Sequence, residues 1–234
     1  MNPLCHIVEP AGLLLTWQPQ DEQAPSRTRR VVGEVRVNKD GVVAFRYLKD
    51  SPDYQKASDA GFKGYPAFDM KADEVATGVL ESFLRRLPPR KREDFPEFLK
   101  LHRLASPFEY SDIALLAYTG ARLPSDGFAL VPIFPDNAAP CDFLLEIAGF
   151  RHVAGTDTAN LEVGDPVSFV VDQSNPVDQD ALAIEHNGVR IGYVNRALKD
   201  TFSKWLQCRS VTAIIERING KPERPLVYLR VSIR

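Results

Sequence analysis

Cysteine is scarce in this chain: Cys5, Cys141 and Cys208 are the only three, an odd and widely spaced set. Such a set argues against a disulfide framework and points to a reducing, cytoplasmic setting. Histidine is nearly as thin. His6, His102, His152 and His186 are scattered, with no Cys-x-x-Cys or His-x-x-x-His pair, so no metal site is expected. No apolar run approaches the roughly 20 residues that span a bilayer. The opening MNPLCHIVEP lacks the basic and apolar regions of a signal peptide, so neither membrane insertion nor secretion is expected. A Gly-x-Ser-x-Gly elbow, a Walker loop and a dinucleotide Gly-x-Gly-x-x-Gly are all missing, which leaves no cofactor expected and no enzyme motif of these kinds. Neither sign of charge is in excess. The 29 Lys+Arg against 31 Asp+Glu give a formal charge of -2, which excludes an all-over basic nucleic-acid protein and leaves room for a local basic groove.

What is present is ordinary globular material, 44% hydrophobic and 26% charged over 234 residues, enough for one large domain or two small ones. The clearest break lies between Pro135 and Pro140, where two prolines and the small residues Ala138 and Ala139 interrupt the apolar pattern. The chain is therefore divided into residues 1–134, a linker at 135–141, and residues 142–234.

The first part reads as mixed α and β. After the apolar segment 12–17 comes a polar, loop-like stretch at 18–30. Two β-branched runs follow, 31–37 and 42–47, joined through Asn38, Lys39, Asp40 and Gly41. Asp-Gly between two such runs predicts a hairpin, since glycine accepts the positive φ of the turn. Val75, Val79, Leu80, Phe83, Leu84 and Leu87 form one apolar stripe at helical spacing that stops at Pro88. Further helices are predicted around residues 95–104 and 112–118. The second part is mostly strands, expected at 143–149, 166–172, 181–186, 189–194, 211–218 and 226–233, with one helix at 196–206. Six short strands and a single helix suggest a small closed barrel or tightly rolled sheet. The fold class expected is α+β: an N-terminal mixed module followed by an OB-like β-barrel with one helix.

Charge is unevenly distributed within the second part. Residues 142–184 carry one Arg against eight acids, and residues 185–234 carry ten basic residues against four acids. Such polarity can present a positive face to phosphates, or oppositely charged strands can pair across the sheet; both readings stay open. In the first part, Arg85, Arg86, Arg90, Lys91 and Arg92 form a basic run that could extend a nucleic-acid track, or simply mark a solvated helix end. Pro52-Asp53 with Asp69-Met70-Lys71 fits the loose acid-acid-lysine string of metal-dependent nucleases. That chemistry needs both acids on adjoining strands to hold a divalent cation.

Three blocks in the second part carry a resemblance. The first is Gly149-Phe150-Arg151-His152-Val153-Ala154-Gly155. The second is Ser174-Asn175-Pro176-Val177-Asp178-Gln179-Asp180-Ala181 running on to Ile184, and the third is Val189-Arg190-Ile191-Gly192-Tyr193-Val194-Asn195-Arg196. Together they resemble the HIRAN domain pattern of an Arg-aromatic-Gly strand, an Asn-Pro-x-Asp-x-x-Ala loop, and a strand ending Gly-Tyr/His-Val/Leu before a helix. The resemblance implies an OB-like fold that binds single-stranded DNA at a free 3′-hydroxyl end. In that role Asp178 would accept a hydrogen bond from the hydroxyl and repel a 3′ phosphate, and Asn175 would add polar contacts to the terminal nucleotide. Arg151 and Arg196 would hold phosphates. His152 and Tyr193 would stack on unpaired bases, worth about 1–3 kcal/mol each. Two family aromatics are missing: Val177 replaces a ring in the loop, and Val153 replaces the second Tyr after the arginine. Each residue also has a purely structural role open to it. Asn175 and Asp178 suit a tight turn, Arg151 could pair with an acid, and Tyr193 could be a half-buried barrel residue.

The first part more loosely resembles the N-terminal subdomain of HipA-type proteins. The resemblance rests on Val32-Gly33-Glu34-Val35, the run from Val43 to Leu48, Gly61-Phe62-Lys63-Gly64-Tyr65-Pro66, Phe83-Leu84-Arg85-Arg86-Leu87-Pro88, and the run from Leu115 to Pro124. The kinase core of that family has no counterpart, and His102-Arg103-Leu104 lacks the catalytic aspartate. The resemblance implies an interaction module for a protein partner. The function expected is thus a non-enzymatic single-stranded DNA binder. The alternative is a kinase-less HipA-like regulatory protein that does not bind DNA ends.

Overall fold

The computed structural model describes residues 2–21, 28–38, 41–123, 125–153, 158–221 and 224–234. Parts of four expected features therefore lie outside the described residues: Lys39 and Asp40 of the hairpin turn, residues 22–27 of the polar loop, Pro124, and the residues that follow Val153 in the first block. The chain divides into two compact units. One comprises Met1–Pro3 and Glu9–Asn137, the other Leu4–Val8 and Ala138–Arg234.

In the first unit, strands β1 (Gly12–Trp17), β2 (Arg30–Val37), β3 (Val43–Tyr47) and β4 (Ala129–Ile133) form an antiparallel sheet in the order β3-β2-β1-β4. The β2–β3 hairpin pairs Val37 with Val43, and Gly41 takes φ 78° at the turn, as its position after Asp40 predicts. Helices α1 (Pro52–Asp59), α2 (Val79–Leu84), α3 (Phe95–Leu101) and α4 (Asp112–Thr119) accompany the sheet. Helix α1 begins at Pro52-Asp53, outside the helices expected from the sequence. The same residues make a good helix start, with Ser51 capping the Tyr54 amide at 3.1 Å and Pro52 in the first turn. The apolar stripe from Val75 is helical only from Val79. Val75 itself exchanges two 2.8 Å backbone hydrogen bonds with Phe45, and Gly78 at φ 68° separates that bridge from the helix. Val79, Phe83 and Leu87 of the stripe are buried, in a core of rings that includes Phe45, Tyr47, Tyr65, Phe68 and Phe83.

The second unit is built on six antiparallel strands: β5 (Cys141–Glu146), β6 (Pro166–Val171), β7 (Leu182–His186), β8 (Val189–Tyr193), β9 (Val211–Lys221) and β10 (Arg224–Ile233). They curl in the order β5-β10-β9-β6-β7-β8. Strand β5 starts at Cys141, inside the expected linker. Val227, Leu229, Val231 and Ile233 alternate along β10 with no exposure at all, and helix α5 (Lys199–Cys208) adds Phe202 and Trp205 to the same core. The sheet is a curled half-barrel, the more open of the two forms expected. Its two end strands meet through a single antiparallel bridge between Ala148 and Tyr193, with backbone bonds of 2.9 Å in both directions.

An N-terminal segment completes this unit. The His6 carbonyl accepts from the Asp142 amide at 2.8 Å, and the His6 amide donates to Asp142 Oδ2 at 3.1 Å. His6 Nδ1 lies 2.8 Å from the same oxygen, and Arg234 donates to Oδ1 at 2.7 Å. His6, which reads in sequence as part of a loose terminus, is thus held on β5. Asp142 is buried, which by itself raises its pKa; hydrogen bonds from Ser232, His6 and Arg234 and the charge of Arg234 outweigh burial and bring it to about 2. A carboxyl whose pKa is lowered on folding contributes stability above its unfolded pKa and loses it as pH falls through the folded value. The pair of pKa values corresponds to about 2 kcal/mol, lost as the pH drops from roughly 4 to 2. Asp142→Asn is expected to lower the denaturation midpoint at pH 7 and to flatten the acid limb of stability between pH 4 and 2. Urea denaturation across that range checks both.

Candidate nucleic-acid interface

The residues of the three sequence blocks meet at one end of the curled sheet, and a glycine allows it. Gly192 has φ 153°, and a Cβ there would stand 2.3 Å from Ile147 Cγ2 and 2.7 Å from the Ala148 carbonyl oxygen. Only a residue without a side chain lets β8 approach the end of β5 closely enough to form the Ala148–Tyr193 bridge. Directly after the bridge, Gly149 turns the chain at φ 71° into a short 3₁₀ turn, Phe150–His152. The first block is therefore a turn at Arg151 and His152, not the strand its pattern suggests. Phe150 is buried as its anchor, while Arg151 and His152 are exposed and touch each other, with Arg151 Nε donating to His152 Nε2 at 3.3 Å. Among the described residues, neither makes an ion pair.

The second block is the loop between β6 and β7, closed on itself by local bonds. Asn175 Oδ1 accepts from the Val177 amide at 2.9 Å and the Asp178 amide at 3.1 Å. This is the turn role that Asn-Pro-x-Asp invites. The Asp172 amide donates to the Ala181 carbonyl at 2.8 Å, and the Ala181 amide to the Asp178 carbonyl at 3.0 Å. Val177 stands at the tip, 75% exposed.

Two ionic staples fix this loop to its neighbours. Near its start, Asp172 accepts from Tyr193 Oη at 2.8 Å and from Arg190 Nη1 at 2.6 Å, while the Arg190 guanidinium lies 5.4 Å from the centre of the Tyr193 ring. Hydrogen bonds from Ser174 and Tyr193 hold the Asp172 carboxyl below the usual carboxylate range. Burial, and then the bond to Asp172, push the Tyr193 phenol up, while Asn175 acts the other way. Tyr193 is accordingly half-buried, with its hydroxyl engaged inside the unit. Further along, Asp178 is clasped by Lys199 Nζ, at 3.0 Å to Oδ1 and 2.9 Å to Oδ2, and Arg196 Nη1 stands 4.0 Å from Oδ2. The Lys199 bond is the main reason the Asp178 carboxyl is held below its ordinary range, and Arg196 adds to it.

The structure thus brings Asn175, Asp178, Tyr193 and Arg196 into one connected cluster. Arg151 and His152 lie on the turn that follows the bridge to Tyr193. Lys199, Asp172 and Arg190 belong to the same cluster and are not singled out as contacts by the sequence. Lys199 has a signal in its spacing, three residues after Arg196 at a helix start, which puts both cations on one side of that turn. The charge polarity of this unit also resolves in part: Asp172 with Arg190, Asp178 with Lys199, and Asp142 with Arg234 pair the acidic stretch with the basic one.

Other sites proposed from sequence come apart in the structure. Asp53 lies in the first turn of α1, where it accepts from the Val31 amide at 3.1 Å and faces Arg30 at 3.5 Å. Asp69 accepts from the Lys71 amide two residues on. The two acids are not on adjoining strands, as the nuclease pattern requires. No group of three or more metal-ligating side chains occurs among the described residues. In the basic run, Arg86 is buried, with both Nη atoms 2.8 Å from Asp126 and its guanidinium near the Tyr65 and Phe128 rings, so it is a core residue and not part of a nucleic-acid track. Arg90 and Arg92 pair with Asp112 and Asp94. Among the described residues, no helix is long and apolar enough to cross a membrane.

A curled antiparallel sheet with one helix, carrying basic and ring side chains at the rim where its ends meet, has the layout of an OB-like module. Residues 141–234 match the HIRAN domain family, and this part of the chain is a HIRAN domain. Among solved structures the chain is similar to the HIRAN domain of human HLTF, at 16% identity over 39% of this chain and 74% of that one, with a TM-score of 0.31. It is also similar to a Lactobacillus plantarum protein, at 18% identity over 38% of this chain and 91% of that one, with a TM-score of 0.31. No curated protein matches the chain. The family match supports a role in DNA binding. The resemblance of residues 1–134 to HipA-type proteins finds no support.

Closure at Gly192 gives a direct test of the site's framework. Gly192→Ala is expected to destabilise the second unit by about 2–3 kcal/mol, because the added carbon overlaps Ile147 and the Ala148 carbonyl. Gly188→Ala, at φ 76° with no neighbour within 4 Å, is expected to cost only about 1–2 kcal/mol of backbone strain. Thermal melts of the two variants compare them.

Proposed function

We propose that this chain binds single-stranded DNA at a free 3′ end through the rim formed by the turn at Arg151 and His152, the Asn175–Asp178 loop, Tyr193 and Arg196. The observation that carries the reading is the juxtaposition of that rim's parts. An exposed Arg–His pair follows directly from the strand bridge at Tyr193, and a loop braced by Asp172 and Asp178 stands next to it. A braced loop keeps its polar groups in place before the ligand arrives, so little ordering cost is added on binding. Arg151 supplies a mobile cation for backbone phosphate, and His152 supplies a ring face for an unpaired base. Asn175 and Asp178 face the terminal nucleotide. Their backbone-facing bonds define the loop, while the Asp178 carboxylate remains 19% exposed. With two family aromatics replaced by Val153 and Val177, stacking contributes less and phosphate contacts carry more of the affinity.

The protein acts in this reading by binding rather than by catalysis, in the reducing cytoplasmic setting that its three widely spaced cysteines suggest. The first unit serves as a docking module for a protein partner.

Fluorescence anisotropy with a short labelled strand in linear and circular forms tests end recognition without reference to the terminal group. The linear form is expected to bind about tenfold more tightly. Equal affinity for the two forms contradicts an end-binding role. Arg151→Ala is expected to weaken binding to all base sequences alike and to reduce the slope of log K against log salt by about 0.7, the share of one phosphate contact on a single strand. An unchanged slope removes Arg151 from the phosphate path.

A further inference from the structure

The Asp178 carboxylate on the rim is already engaged. Lys199 Nζ stands 3.0 and 2.9 Å from its two oxygens, and the Asp180 amide donates to Oδ1 at 3.1 Å. Arg196 Nη1 is 4.0 Å from Oδ2. Three N–H groups therefore occupy a carboxylate with about four acceptor positions. An isolated carboxylate would accept from a 3′ hydroxyl and repel a 3′ phosphate. With Lys199 clasping it, one acceptor position is left for a hydroxyl, the carboxylate charge is balanced, and the ammonium keeps a third N–H that Asp178 does not take.

We propose that Lys199 is a specificity-determining residue that makes this end pocket a receptor for a 3′-terminal phosphate as well as a 3′ hydroxyl. The proposal rests on the strand-end reading above and adds to it the class of terminus. Lys199 acts as the phosphate-binding residue, and Asp178 serves as the counter-ion that positions it. The arrangement also fixes the direction of the effect of each charge. Removing the ammonium uncovers the carboxylate and turns the pocket against phosphate; removing the carboxylate charge does the opposite. Lys199 lies on the first turn of α5 with its side chain 19% exposed, so the charge is partly shielded from solvent yet reachable at the rim.

The test is anisotropy on the full chain with two strands of one base sequence, ending in 3′ hydroxyl or 3′ phosphate. The wild type is expected to bind the phosphate strand at least as tightly as the hydroxyl strand. Lys199→Met is expected to lower the ratio of phosphate to hydroxyl affinity about tenfold, as expected for losing one charge-assisted contact. Lys199→Arg retains the wild-type ratio, and Asp178→Asn shifts it further toward phosphate. A wild type that prefers the hydroxyl strand about tenfold overturns the proposal while leaving strand-end binding intact, and so does a ratio that Lys199→Met does not move. Should Lys199→Met fail to fold by circular dichroism, the Lys199→Arg and Asp178→Asn ratios decide in the same way. No binding of either strand by the wild type sinks the strand-end reading and this proposal with it.

Discussion

The bridge between Ala148 and Tyr193 is the contact on which the arrangement of the second unit's loops depends. An antiparallel sheet of six strands in the order β5-β10-β9-β6-β7-β8 has two free ends, and an open curl would leave its loops apart. One pair of backbone hydrogen bonds joins those ends, at the one place where a glycine lets the strands come close. The consequences spread outward from there. The turn carrying Arg151 and His152 begins at once beyond the bridge. On the other side, Tyr193 sends its hydroxyl to Asp172 and so ties down the base of the β6–β7 loop. Helix α5 begins a few residues later and supplies the second tie, from Lys199 to Asp178. A single closure thus draws three segments distant in sequence to one rim.

Charge in this unit does two things at once. Acids from residues 142–184 pair with cations from residues 185–234, so much of the apparent polarity is consumed in holding the fold. What is left over is local: an exposed arginine on the turn, beside a lysine and a carboxylate that balance each other on the loop. For binding a polyanion that remainder matters more than the net charge of the chain, because the field at a rim a few ångströms across is set by the charges in it. The buried Asp142 shows the other use of the same chemistry. It joins an N-terminal segment, an edge strand and Arg234 into one network.

Much of this was legible in the amino-acid sequence, and what was not has physical reasons. The alternating β-branched runs of the second unit predict its strands well, because burial of one face leaves a period of two along each strand. The three blocks locate the rim, and their order is enough to suggest the family. The degree of closure is invisible, since it depends on a distance between strands that no local pattern encodes; Gly192 is present in the motif but its reason is not. Ser51-Pro52-Asp53 is equally good as a turn or a helix start, and only the chain that follows decides. The stripe through Val75 over-extends a helix because burial on one face looks the same in a bridge residue as in a helical one. Lys199 escapes notice because a lysine at a helix start is common, and its partner lies twenty-one residues away across a loop. For Arg86, a run of like charge suggests solvent, whereas an acid forty residues on and two rings take it into the core.

The central claim is that the rim around Tyr193 and Asp178 is where the nucleic acid sits. Titrating the ¹⁵N-labelled full chain with a short linear single strand at low salt, and following backbone amide shifts, locates the contact directly. The account predicts that the largest changes cluster at Arg151–His152, at Asn175 to Asp180 and at Tyr193 to Lys199, with little change on the first unit. Shifts concentrated elsewhere, or none at saturating strand, would contradict it.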